Sequence, residues 1–237
     1  MKCLMLILCL LVIGQGAVAQ LVVFDNSHNT PWLHMYDNFK AQLTAWGYTV
    51  EVRTTPLTDN GDADVLIILP EDAYTSSGEA YTEPEATWIM DFVDSGKGLL
   101  ASICINNNYW AMIVEMMDDF GIAEGPGPGN PVLYDQFVSH PLFDGVTALG
   151  DDVSPTAGLV VSAPCVAVAG DGVVDLIAVY ENGTGSAIWT THYYMMHNMG
   201  LDDHDNLVFL ENAFAWLTRG YVANEDSSWG DVKRLFE

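Results

Sequence analysis

Positive charge is what this 237-residue chain has least of: 7 Lys and Arg stand against 32 Asp and Glu, a formal net charge of -25 at pH 7. A field of that sign repels DNA, RNA and anionic lipid headgroups, so nucleic acid is excluded as a partner. Cations, or solubility in salty water, are the natural counterparts. Cysteine is also scarce. Of the four, Cys3 and Cys9 lie in the first apolar run, which leaves Cys104 and Cys165. Each sits at or in a strand-like run, as a small buried residue would, and spacing alone does not say whether the two pair. No stretch after residue 20 approaches the roughly 20 apolar residues of a membrane helix. Nor does any strand lead into a Gly-rich turn with a lysine, which disfavours phosphate binding. Half of the residues are apolar and 11% are aromatic, so the acidity is not that of a disordered tail.

The first twenty residues, MKCLMLILCLLVIGQGAVAQ, order one positive charge (Lys2), an apolar run from Cys3 to Ile13 and the small triplet Ala17-Val18-Ala19. That is the anatomy of a cleavable secretory signal peptide over residues 1–19. Cys9 follows Leu8 rather than a small residue, which argues against a lipid anchor. Cleavage after Ala19 removes Lys2, takes the charge to about -26 and sends the rest outside the cytoplasm, secreted, periplasmic or cell-surface, with no membrane insertion. The remainder suits one domain over 20–220 and a short tail over 221–237.

Periodicity predicts the elements. LVVFD (21–25) reads as a buried strand. Trp32, Met35, Tyr36, Phe39, Leu43 and Trp46 recur at helical spacing between Pro31 and the capping Gly47. Strands follow at 48–54 and 63–70, a helix from Glu83 to Ser95-Gly96, a strand at GLLASIC (98–104) and a helix at 109–121. GPGPGN (125–130) reads as a plain loop, and 138–146 as turn-rich. Three β-rich pieces lie near 158–168, 173–180 and 186–191, before a last helix at 205–218. Strand and helix alternate, the rhythm of an α/β fold with a mainly parallel sheet, here with extra β-rich segments in the C-terminal half.

With LVVFDNSHN at the first strand end, ADVLIILP, IMDFVDSGKGLLAS, HPLFDGV and DNLVFLENAFAWLT in this order over about 21–218, the chain resembles the class I glutamine amidotransferase-like superfamily, in particular an uncharacterised exported branch. That resemblance implies a flavodoxin-like three-layer sandwich. It also implies a cysteine elbow at Cys104, after the fourth strand, and a histidine at His192, after SAIWTT. The flanking chemistry departs from the catalytic pattern: Ser102 and Asn106 stand where the family has glycines, and Tyr194 replaces the acid that follows the histidine. A Cys-His hydrolase of amides or esters would need an orienting carboxylate from elsewhere, with Asp25 or Asp202 as candidates. A domain without catalysis is the favoured reading.

In such folds ligands bind where strands end at their carboxyl edge. Asp25, Asn26, His28 and Asn29 follow the first strand, Glu71 and Asp72 the third, and Asn106, Asn107 and Trp110 the fourth, with His192, Tyr193 and Tyr194 from the strand before the last helix. Carboxylates, amides, a histidine and aromatics suit a carbohydrate or another small polar ligand, and solvated loops would show the same residue types. A carbohydrate or a cell-surface protein is the expected partner. No cofactor is called for, and no histidine set has the spacing of a zinc frame. Asp202, Asp203 and Asp205, with Asp59, Asn60, Asp62 and Asp64, offer the oxygens calcium takes without an EF-hand loop, while helix capping also accounts for the first group. Asn182-Gly183-Thr184 is a glycosylation acceptor pattern and an ordinary turn signal. In the tail, Trp229, Val232, Leu235 and Phe236 fall at three- and four-residue spacing beside Lys233 and Arg234. This amphipathic stretch either packs on the domain or docks on an outside partner.

Overall fold

A computed structural model describes residues 19–28, 33–69, 80–103, 107–129, 132–151 and 156–219. Five parallel strands form the centre: β1 (Leu21–Asp25), β2 (Thr49–Arg53), β3 (Val65–Ile68), β4 (Gly98–Ser102) and, from much later in the chain, β12 (Ser186–Thr190). Their order is β2-β1-β3-β4-β12, the flavodoxin-like arrangement. The intervening strands are β5 (Ile122–Gly129), β6 (Val132–Tyr134), β7 (Gln136–Phe137), β8 (Leu149–Asp151), β9 (Thr156–Val161), β10 (Val166–Gly170) and β11 (Asp175–Glu181). Beyond β12 the sheet turns antiparallel through β11, β10 and β7, with β9 branching from β11 to β5, while β6 and β8 pair separately.

Alternation along the strands builds two cores. Val22 and Phe24 of β1 face α1 (Asp37–Ala45) and α4 (Asn206–Leu217), where Phe39, Leu43 and Phe214 close the layer. Val23 points the other way, to α2 (Glu83–Asp94) and α3 (Asn107–Asp119), and joins Ile89, Phe92, Met116 and Phe120. Edge-to-face rings tie the first core, with Phe24 and Phe39 centroids 6.0 Å apart and Phe39 and Phe214 5.8 Å apart, each pair worth roughly 0.5–1.5 kcal/mol beyond its area. The three-layer α/β sandwich read from the sequence is the observed fold.

Local signals act as expected at most junctions. Gly47 ends α1 at φ 96°, and Gly96 follows α2 at φ 102°, the left-handed conformation that glycine adopts without Cβ strain. At the start of α2 the Glu85 carboxylate accepts both the backbone N–H and the hydroxyl of Thr82, each at 2.8 Å, within a capping box. One element differs from its sequence reading. GPGPGN is not a plain loop: residues 122–129 form β5, antiparallel to β9. Glycine makes this pairing feasible, because a Cβ on Gly158 would lie 2.3 Å from the Pro126 carbonyl oxygen and one on Gly125 3.0 Å from Leu159. The breaker residues here permit close strand approach rather than interrupting a strand.

Candidate functional site

At the carboxyl end of β1, Asp25 is 2% exposed and collects donors from three directions. The Ser27 hydroxyl donates at 3.0 Å and its backbone N–H at 3.3 Å, the Tyr81 hydroxyl at 3.0 Å, and the Asn60 amide at 3.4 Å. Burial pushes the Asp25 carboxyl above its ordinary value, against the opposing pull of Ser27, Tyr81 and His28. Burial also pushes the Tyr81 phenol well up, and the neighbouring Asp25 adds to it. The two therefore sit as a phenol donating to a desolvated carboxyl. The His28 ring lies over Tyr81 with centroids 4.0 Å apart, and its Nε2 meets the Glu85 carboxylate at 2.9 Å. Burial raises the Glu85 carboxyl, but the Thr82 backbone and hydroxyl together with His28 outweigh it and hold the group below its usual range. Asn60 is fully buried, and its Oδ1 has no partner among the described residues.

Asp25, Asn26 and His28 are legible in the sequence as residues of this edge; Asn60 stands there only among candidate calcium oxygens, and Tyr81 and Glu85 are not singled out. Asn60 ends the short 3-10 helix Leu57–Asn60 between β2 and β3, and Tyr81 stands two residues before α2. Only the crossover order that sets β1 between β2 and β3 brings these loops over Asp25. A usable signal existed at Glu85, which with Thr82 forms the T-x-x-E pattern of a capping box.

The second cluster lies across the sheet. β4 and β12 are parallel neighbours with Ser102 opposite Thr190, so the segments carrying Cys104 and His192 leave the sheet from adjacent strands. Cys104, Asn106, Asn29, Glu71 and Asp72 lie outside the described residues, and of Asn107 only the backbone, at the start of α3, is described. His192 is wholly buried, with its Nδ1 3.2 Å from the hydroxyl of Tyr134, itself fully buried. Tyr193 and Tyr194 are half-buried in the turn that follows, and their rings meet edge to face at 4.7 Å. Asp25 is not the orienting carboxylate of His192. β1 and β12 are three strand spacings apart, about 14 Å, and Asp25 is engaged by Ser27, Asn60 and Tyr81. Asp202 lies exposed in the turn before α4.

The acidic groups considered for calcium are drawn to different partners. Asp62 binds Arg53, the Asp64 carboxylate accepts the Leu21 N–H at 2.7 Å, and Asp205 takes the Thr147 and Ala148 N–H groups and the Thr147 hydroxyl. The helix cap expected from Asp205 is thus replaced: it stands at the N-terminus of α4 but makes no side-chain cap. Hydrogen bonds from Thr147 hold its carboxyl below the usual range. Among the described residues no group of three or more His, Cys, Asp or Glu could hold a metal ion. Cys165 is a free, buried thiol that desolvation pushes up to about 12, a small apolar residue in practice. Asn182 closes the expected turn, its side-chain carbonyl accepting from Thr184 and Gly185.

No protein-family model matches the chain, and no curated protein matches it. Among solved structures, the mmIFT52 N-terminal domain superposes with a TM-score of 0.70 at 16% identity, over 87% of this chain and 99% of that one. The exo-beta-1,4-mannosidase Op5Man5 from Opitutaceae bacterium strain TAV5 gives 0.53 at 12%, over 89% of this chain but 37% of its own length. A glutamine amidotransferase from Thermotoga maritima covers 87% of this chain at 9% identity, with a TM-score of 0.46, too loose a superposition to bear on descent. At these identities it is the α/β fold that the chain shares with the first two.

Proposed function

We propose that this chain is an exported recognition domain without catalysis of its own, which binds a carbohydrate or a protein partner at or outside the cell surface through the carboxyl edge of its parallel sheet. The observation that carries this reading is the state of His192. A general base must reach both its nucleophile and a group that orients it. Here the ring is fully buried and its Nδ1 lies 3.2 Å from the hydroxyl of Tyr134, a neutral group, and Tyr194 stands where the catalytic pattern has an acid. The edge at β1 is better suited to holding than to reacting. His28 and Glu85 are paired there and fixed by Tyr81 and Thr82, so a largely buried polar and aromatic cluster stands ordered beneath this edge before any ligand arrives.

Export rests on the N-terminal pattern and agrees with the start of the fold. β1 begins at Leu21, two residues beyond the expected cleavage point, so cleavage leaves the sheet intact. The carbohydrate side of the proposal is supported by the polar and aromatic residues at this edge and by the same fold forming part of a mannosidase chain.

The competing reading, hydrolysis of an amide or ester by Cys104 and His192, draws on the adjacency of β4 and β12. Iodoacetamide labelling of Cys104 in the mature protein, compared with His192→Ala, separates the two. Recognition without catalysis predicts the slow alkylation of an ordinary thiol, with the same rate in both proteins. A fast rate near neutral pH that collapses in His192→Ala would replace this reading with the hydrolase. Retardation on gels containing neutral polysaccharide, and its loss in His28→Ala, would identify the ligand class and the edge that binds it.

A further inference from the structure

The far end of the sheet carries an open recess, lined by apolar side chains together with Gln136, Asp175 and the backbone of Gly170 and Gly172, that the site above does not use. It measures about 320 Å³ and is walled by Phe137 and Val138 on one side and by Ala167, Ala169, Val173 and Val174 on the other. Register shifts between Ala167 and Gly170 loosen the pairing of β10 with β11, and the terminal strand β7 is two residues long. Val173 is held at the tip of the β10–β11 turn, where the Asp171 carboxylate accepts the Val173 and Val174 N–H groups at 2.8 Å each. It is 87% exposed, with Val138 at 55% and Val166 at 59%. A frayed sheet edge beside exposed valines is a place that proteins cover. The rim is acidic, with Asp135 beside Gln136 and Asp175 in the wall itself.

We propose that the cover is the amphipathic segment of this same chain, residues 229–236, docked in the recess through Trp229, Val232, Leu235 and Phe236, with Lys233 and Arg234 on the rim carboxylates. Three observations converge. First, the charges match. Every described cation is set against carboxylates: Lys40 on Asp37, Arg53 on Asp62 and Glu51, Lys97 on Asp64, and Arg219 in the fields of Glu181 and Asp144. Lys233 and Arg234 are two of the seven basic residues, and they adjoin apolar residues at helical spacing. Second, the recess is near the departure point. From the end of α4 a ladder of rings leads to its wall: Trp216 to His140 at 5.2 Å, His140 to Phe143 at 6.4 Å, and Phe143 stacked on Phe137 at 4.5 Å. Nine residues separate Arg219 from Trp229, and the ten extended steps between them reach up to ~33 Å. Third, the recess combines apolar side chains (Phe137, Val138, Val173, Val174) with the acid of Asp175, which suits apolar anchors flanked by cations.

Hydrogen exchange on the mature chain tests this. In the double variant Lys233→Glu/Arg234→Glu, and separately in Trp229→Ala/Leu235→Ala, amides of 136–138 and 166–175 should exchange about tenfold faster, while those of 21–25 and 98–102 keep their rates. Adding Asp135→Lys/Asp175→Lys to the charge-reversed variant should restore protection. Exchange at the recess that is indifferent to both double variants overturns the proposal. So does protection that falls on dilution of the wild-type protein, which would make a second copy the cover.

Discussion

A buried carboxyl that accepts four hydrogen bonds from three residues is a choice between two costs, and Asp25 shows which one dominates. Desolvation raises its pKa above that of an unfolded aspartate despite Ser27 and Tyr81, so the folded state binds this proton more tightly than the unfolded state does. Asp25 then contributes most to stability at low pH, where both states are protonated, and its penalty grows as pH rises from the unfolded value through the raised folded one. Asp25→Asn keeps a neutral acceptor in place. Urea unfolding from pH 4 to 7 should show wild-type stability declining relative to Asp25→Asn as pH rises, and parallel curves would mean that the carboxyl is not desolvated. Nothing in the local sequence announces this. Asp25 looked like one polar loop residue among several, because its partners Asn60 and Tyr81 are 35 and 56 positions away. His28 was legible as an edge residue, but not as the partner of Glu85.

Single side chains can also pin elements. Asn206, the first residue of α4, is fully buried. Its amide donates to the carbonyls of Gly150 and Gly200 at 2.8 Å each, and its oxygen accepts the Gly150 N–H at 3.2 Å. One residue therefore joins the helix to β8 and to the turn after β12. Asn206→Ala would leave backbone groups of both segments unpaired in the interior, and should cost about 2–4 kcal/mol in chemical denaturation. A loss under about 1 kcal/mol would mean that solvent reaches the junction. Elements of this kind were mostly readable from the sequence, since helical spacing and flanking glycines set α1, α2 and α4 to within a few residues. β5 was not. Its glycines satisfy every local signal of a loop, and only the close passage of β9 makes them the residues a strand requires there.

At the scale of the whole molecule the acidity met at the start becomes an energetic term. The described cations are all set against carboxylates, so most of the described acidic groups face solvent without a counter-charge, and their mutual repulsion works against the compact state. That repulsion is long-ranged at low ionic strength and is cut to a reach of ~8 Å near 0.15 M salt. Buried pairs such as Tyr81 with Asp25 are screened much less, so added salt should act mainly on the surface. The thermal midpoint of the mature protein should therefore rise by roughly 3–6 °C between dilute buffer and ~0.5 M sodium chloride, equivalent to ~1–2 kcal/mol for a chain of this size. Calcium chloride at matched ionic strength should give the same midpoint, in keeping with the dispersal of Asp59, Asp62, Asp64 and Asp205 among separate partners or open solvent. A flat response to sodium chloride would show that the acidic surface is already neutralised by its own arrangement. A saturating rise at low calcium, above the sodium curve, would instead place a bound ion on the molecule.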